Sequence, residues 1–535
     1  MENKPKTDEW NATLNGDYLW SNVNFGEAVT KTMTPLTWSV IQFTLDDWIY
    51  LPGYPTVGNI GGYPYLNISI FASLFKAIGR NQQDLLEFME GTLYMRLPNE
   101  MQIPLIPLSL KMAFSGLRNL ARVQNKQRRG IKRLPDYLAN NLEWFKQTRA
   151  QIEAEESKSA LVTLWRNEIK PHIKDGVWTA LGAATYSSDY TLKLRRELSA
   201  LVGDEGANIL IANLSDDTEL LPSLEPIMGL AKITNGELTR EFYLEQFGHR
   251  GPHEFELSVS RPVEDSQWLD QELSNFQASP VNIAALLEKQ KSAFDAAEQR
   301  LIAKRPRKAK KMRRRIAESA RRARLREYAR SEYVRDRWLI RLFALRAAEL
   351  TGLGNDIFFL RLDEILALLS GKENVEDAIS SRRASFQQYK SLPPYPAIIR
   401  GRFDPVKWAA DPQRRSDIYD AQVTYPTSKG AIIRGAAGSA GQVEGLVCRL
   451  DSAAEGASLQ SGEILVTTLT DISWTPIFPR AAAVVTDVGA PLSHAAIVAR
   501  ELGIPAVVGC GDATMRLKTG DRIRVNGSAG TVTIL

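Results

Sequence analysis

The spacing of apolar residues divides this chain into two unlike parts. Up to about residue 385 they recur every three or four positions, around 85–94, 105–121, 138–155, 282–301 and 313–350, which predicts long amphipathic helices. Beyond residue 433 the pattern changes to short β-branched runs at 464–466, 483–485, 506–508, 522–525 and 531–534, separated by glycine turns, with at least one helix among them. These patterns predict an α+β multidomain protein, with a large mainly helical domain over 1–385 and a compact α/β domain over 433–535. The segment 386–432 is proline-rich, charged and weakly periodic from Ser391-Leu392-Pro393-Pro394-Tyr395-Pro396 onward, and reads as a linker or hinge. A length of 535 residues supports two or more separate cores.

Composition narrows the class. Hydrophobic residues at 44% and charged residues at 24% are ordinary globular values. The first ten residues are charged rather than apolar and no run approaches a membrane span, so the expectation is a cytoplasmic protein with no membrane partner. Two cysteines, Cys448 and Cys510, have no metal-ligand spacing. The net charge of +5 hides an asymmetry: residues 300–346 hold nineteen Lys or Arg against four acids. No aromatic residues interleave with the basic run at 304–315, which argues against nucleic acid as its partner.

The chemistry concentrates at Thr486-Asp487-Val488-Gly489-Ala490-Pro491-Leu492-Ser493-His494. This reads as a strand, a small-residue turn and a short helix with Ser493 at its N-cap, closed by Gly503 and Pro505. First-turn N–H groups and the helix dipole favour an anion beside His494 and disfavour its imidazolium, so an exposed, neutral ring is placed to accept and carry a phosphoryl group.

That segment closely resembles the phosphohistidine swivelling domain of the phosphoenolpyruvate-utilising enzymes. The resemblance runs from about Gly435 to the C-terminus through Gly438-Ser439-Ala440-Gly441, Gly462-Glu463-Ile464-Leu465-Val466, Pro505-Ala506-Val507-Val508-Gly509 and Gly520-Asp521. Two departures occur: Ala490 replaces the second glycine of a usual pair, and Leu492 stands where many members carry threonine. The larger region resembles the acceptor domain of the rifampicin phosphotransferases, at 24–29, at 33–39, at Phe247-Gly248-His249-Arg250-Gly251-Pro252-His253-Glu254-Phe255-Glu256-Leu257, at Arg326-Glu327 and at 356–360.

The resemblance implies a dikinase-type phosphotransferase in which His494 is charged with the β-phosphoryl of ATP, releasing AMP and phosphate, and then swings to a hydroxylated acceptor. Neither a glycine-rich phosphate loop nor an ATP-grasp segment is found, so ATP and Mg2+ are expected on a separate ATP-grasp subunit, with no cofactor or metal bound by this chain. The split organisation is similar to that of phenylphosphate synthase, which makes a small phenolic or apolar hydroxyl compound the expected acceptor. The aromatic side chains at Trp38, Trp48, Tyr50, Tyr54, Tyr63 and Tyr65 suit a cover over such a ligand, or else pack a core. Alternatives are a condensation or dehydration using the same activation, a phosphoenolpyruvate-synthase-like activity, and a regulatory phosphocarrier.

Further site residues follow from phosphoryl chemistry. Arg322, Arg326, Arg330, Arg337 and Arg341 share one helix face, and guanidinium forks match phosphate oxygens. The resemblance singles out Arg326 and Arg330 as catalytic; the others fit a solvated basic face. His249 is a candidate general base for the acceptor hydroxyl, with Arg250, His253 and Glu254 binding substrate, although Arg250 and Glu254 can equally pair to hold their loop. Asn24, Glu27 and Thr34 are either polar groups of the substrate site or helix caps.

Overall fold

The computed structural model describes residues 9–23, 25–46, 48, 51, 53–81, 83–85, 97, 101–212, 222, 224–278, 283–371, 376–423, 430–491 and 493–535. A large mainly helical region precedes a C-terminal α/β unit. Asn24, Tyr50, Leu492 and most of the helix expected at 85–94 lie outside the described residues.

Helices α1 (Pro35–Leu45), α2 (Leu110–Ala154), α3 (Lys170–Leu210), α4 (Ile283–Lys304) and α5 (Pro306–Thr351) supply the frame of the first region. Gly130 of α2 lies against the backbone of Trp178, and Gly182 of α3 against that of Gln127, where a Cβ would fall within 2.3 and 2.6 Å of main-chain atoms. The two glycines let these helices cross backbone to backbone. Helix α3 packs against α2, α4 and α5 at once. Its apolar residues are therefore spread around the helix, which is why no single stripe announces it in the sequence.

A small sheet joins this region in the order β2-β3-β1-β4-β5, built from β1 (Leu19–Ser21), β2 (Val57–Ile60), β3 (Tyr63–Asn67), β4 (Ile398–Arg400) and β5 (Ile418–Asp420). Gly61 and Gly62, at φ 55° and 88°, make the two-residue turn between β2 and β3. β4 pairs antiparallel with β1 and parallel with β5. The segment read as a linker thus contributes two strands and the helix Pro405–Ala410 to the helical region. Its prolines flank these three-residue strands, too short to show alternation.

The C-terminal unit is an eight-stranded sheet ordered β6-β13-β12-β8-β9-β10-β11-β7. The strands are β6 (Ile432–Arg434), β7 (Ala436–Ser439), β8 (Gln442–Arg449), β9 (Ile464–Thr467), β10 (Ala483–Thr486), β11 (Ala506–Val508), β12 (Arg522–Asn526) and β13 (Thr531–Ile534), so each run read from the sequence is a strand. β8, β9, β10 and β11 are mutually parallel. The loops leaving β9 and β10 consequently emerge on one edge, and the second leads into α6 (His494–Glu501). No described helix is long and apolar enough to cross a membrane.

Candidate active site

Helix α6 starts as the sequence predicts. Ser493 caps it, accepting from the Ala496 N–H at 3.4 Å, and Gly503 follows its last turn at φ 65°. Arg500 fixes the preceding turn by donating to the carbonyls of Gly438 at 2.7 Å and Pro491 at 2.6 Å. His494 is the first helical residue, but the expectation of an exposed ring is not met: it is only 8% exposed. The helical region covers it. Ala323 of α5 packs on Ile497 of α6, and the small Ala323 side chain allows the two helices to meet.

Around the ring, the Oγ1 of Thr470 lies 3.0 Å from Nδ1, the Oγ1 of Thr475 lies 3.2 Å from Nε2, and Phe478 meets the ring edge-on at 5.9 Å. Burial lowers the His494 pKa to about 3, and the positive charge of Arg330 adds to the effect. The ring is neutral at cell pH, as the helix-start argument expects, with desolvation by burial as the largest cause.

Glu27 comes from the opposite side. Its carboxylate accepts the His494 backbone N–H at 3.0 Å, occupying the anion-favouring end of α6, and burial raises its pKa to about 7. The two arginines singled out on α5 stand nearby with carboxylate partners: Arg326 pairs with Glu327 at 2.7 Å, and Arg330 reaches Glu254 at 3.2 Å. Glu254 also receives Arg250 at 2.6 Å, and both residues of that pair are buried. Arg326 and Arg330 follow Ala323 by one and two turns and so share its face. The other stripe members are structural. Arg322 stacks on Tyr186 and Tyr190 at 3.6 and 3.9 Å, Arg337 donates to the Phe255 carbonyl at 2.6 Å, and Arg341 pairs with Glu264 at 3.0 Å.

Two further candidates have partners within the protein. His249 is 1% exposed, with Nε2 2.9 Å from the Ser331 Oγ, so it pins its loop to α5 and does not line the cavity described below. Thr34 caps α1, and its hydroxyl and N–H donate to Glu256 at 2.8 and 3.0 Å, which satisfies it without a ligand. His253 does face the cavity; its Nδ1 lies 2.6 Å from the Thr30 Oγ1, burial lowers its pKa to about 4, and among the described residues it alone combines a non-glycine side chain with positive φ, at 57°.

Between the helical region and the α/β unit lies a cavity of about 1420 Å3. Thr30, Lys31, Arg250 and His253 line it from one side, and Asp471, Trp474 and Thr475 from the other. Thr475, whose hydroxyl contacts Nε2, lines the cavity, while the His494 ring lies behind it. Asp471 is a residue the sequence reading missed. It is buried, accepts from Thr30 at 3.3 Å and Ser473 at 3.0 Å, and burial raises its pKa. The signal was present in Thr470-Asp471-Ile472-Ser473-Trp474-Thr475, a polar run directly after a buried parallel strand. Of the aromatic residues expected to cover the ligand, Tyr63 lines the cavity. Trp38 and Tyr65 are buried in cores, while Trp48 and Tyr54 pack against one.

Residues 459–530 match the mobile domain of the PEP-utilising enzymes. The chain is 31% identical over 311 residues to the prodigiosin synthesizing transferase PigC of Serratia marcescens, covering 55% of this chain and 33% of that protein. It is 38% identical over 180 residues to a rifampicin phosphotransferase of Streptomyces sviceus, covering 34% and 19%. A rifampicin phosphotransferase of Bacillus subtilis is 30% identical over 324 residues, covering 57% and 36%. The chain thus spans between about a fifth and about a third of the length of these relatives. Residues 459–530, which include His494 at the capped start of α6, thus match a mobile domain of the PEP-utilising enzyme type.

Proposed function

We propose that this chain carries a phosphoryl group on His494 and transfers it to a hydroxyl of an acceptor held in the interdomain cavity. The observation that carries the reading is the neutral imidazole at the start of α6, with Nε2 against Thr475 of the cavity wall and Arg326 and Arg330 on the facing helix. In the transfer step the N–P bond to His494 breaks as the O–P bond to the acceptor forms, and the hydroxyl proton passes to a carboxylate. The arginines offset charge on the moving phosphoryl oxygens, the dominant requirement of this chemistry. We assign the proton to Asp471, a cavity-lining carboxylate with a raised pKa, in preference to His249.

On the same reading, ATP is cleaved with Mg2+ at a separate ATP-grasp subunit, and the mobile domain shuttles between that site and this cavity. The rifampicin phosphotransferase relatives support transfer to a hydroxyl. The similarity to PigC favours a second reading, in which the phosphorylated hydroxyl is a leaving group for a condensation. The direct test supplies β-labelled ATP and the charging subunit to wild type and His494→Ala. Acid-labile label is expected on the wild type alone, and equal labelling of the variant rejects the assignment. Product analysis then separates the readings: a stable phosphate monoester supports transfer, a condensed product the alternative.

A further inference from the structure

The cavity extends well beyond the surroundings of His494. Pockets that hold drug-sized molecules measure roughly 300–1,000 Å3, so a single phenolic ring would leave most of these 1420 Å3 empty. Its wall includes Ile227, Tyr243, Phe247, Trp268 and Phe276 of the helical region and Ile477 of the mobile domain.

One carboxylate interrupts this aromatic wall. Trp268, Glu272 and Phe276 succeed one another every four residues on the helix Trp268–Ala278, and all three line the cavity. Glu272 forms no hydrogen bond and no ion pair with any described residue. Burial alone raises its pKa, and its charge raises that of the neighbouring Tyr243 hydroxyl further. An unpaired carboxylate on an apolar wall carries a desolvation cost that a cationic ligand group would offset.

We propose that the cavity receives an elongated aromatic ligand bearing a cationic amine, with the ammonium group on Glu272 beside Trp268 and Phe276 and the reacting hydroxyl directed toward His494. This rests on the reading that the cavity holds the acceptor, but its test measures binding alone and needs neither ATP nor phosphohistidine. A failure of labelling at His494 therefore leaves this outcome independent.

The probes are phenol, a 4-alkylphenol and a 4-(ω-aminoalkyl)phenol of equal chain length, titrated calorimetrically into the full chain. The amine-ended compound is expected to bind about tenfold or more tightly than its alkyl counterpart, the gain of one charge-assisted hydrogen bond. Glu272→Gln, which keeps the size of the side chain, is expected to remove that preference while still binding the alkyl compound. Equal affinities in the wild type, no binding of either long probe, or an amine preference that survives Glu272→Gln each overturns the proposal.

Discussion

The backbone N–H of His494 donates to the carboxylate of Glu27 across 3.0 Å, joining the mobile domain to the helical region at His494 itself. The same burial acts on the two side chains in opposite senses, lowering the imidazole pKa to about 3 and raising the carboxyl pKa to about 7. Glu27 takes the place an anion would take at this helix start. A phosphoryl group on His494 must therefore meet Glu27 protonated or displaced.

This pairing predicts how stability depends on pH. A histidine whose pKa falls on folding contributes stability that is present above its unfolded value of about 6.5 and lost as pH falls toward 3. A carboxyl whose pKa rises contributes stability that is present below about 4.5 and lost as pH rises to about 7. Between about 4.5 and 6.5 the two slopes cancel in the wild type. Glu27→Gln removes the second slope, so its melting temperature, relative to wild type, should rise with pH across that window by a few degrees. Melting curves for the two proteins that stay parallel at every pH would refute the coupling.

The arginine stripe gives a prediction with its own control. Arg330→Ala should slow transfer from phosphohistidine to acceptor by about two to three orders of magnitude, as loss of a transition-state charge contact does. Charging of His494 should be much less affected. Arg322→Ala removes the stacking on Tyr186 and Tyr190 and should lower stability while leaving single-turnover transfer near wild type. Equal transfer defects in the two variants would mean that the stripe acts as a general basic surface.

His494 was legible in the sequence because its chemistry is local: the cap, the glycine turn and the closing Gly503-Ile504-Pro505 lie within twenty residues. The strands of the mobile domain were legible for the same reason. Periodicity alone could not sort the five arginines, since all fit one helical face; the family resemblance singled out Arg326 and Arg330, and the packing of Ala323 on Ile497 turns their face toward α6. Helix α3 was not read because its apolar residues face several neighbours, and β4 and β5 because three residues show no period. Thr34 and His249 have the right chemistry for a site, yet Glu256 takes the hydroxyl and N–H of Thr34, and Ser331 holds the Nε2 of His249. Asp471 acts with Thr30, more than four hundred residues away in sequence, a relation no spacing reveals.

Gly489 sets the turn that delivers Ser493 and His494. Its φ of 148° is poorly suited to other residues, and a Cβ there would lie 3.2 Å from the Ser493 Oγ, the Thr486 Oγ1 and the Val508 Cβ. Gly489→Ala should cost about 1–3 kcal/mol of stability and reduce labelling of His494 in the folded protein, because the cap must shift. Undiminished labelling with an unchanged denaturation midpoint would show that the turn accommodates a side chain freely.

The proposed proton acceptor differs from the residue that the sequence suggested. Asp471 lines the cavity with a pKa raised by burial, whereas His249 is enclosed between its loop and α5, its pKa held well below the usual histidine range. A base must be deprotonated to act, so transfer should decline as pH falls through the elevated pKa of the Asp471 carboxyl. Asp471→Asn should lower the single-turnover transfer rate by about 10²–10⁴-fold and remove that acid limb from the pH profile. His249→Asn retains a polar group beside Ser331 and should alter stability without removing the limb. The decisive comparison is the pre-steady-state transfer rate against pH for wild type and both variants. Loss of the acid limb in His249→Asn, with the limb retained in Asp471→Asn, would restore the histidine as the base and reject the carboxylate.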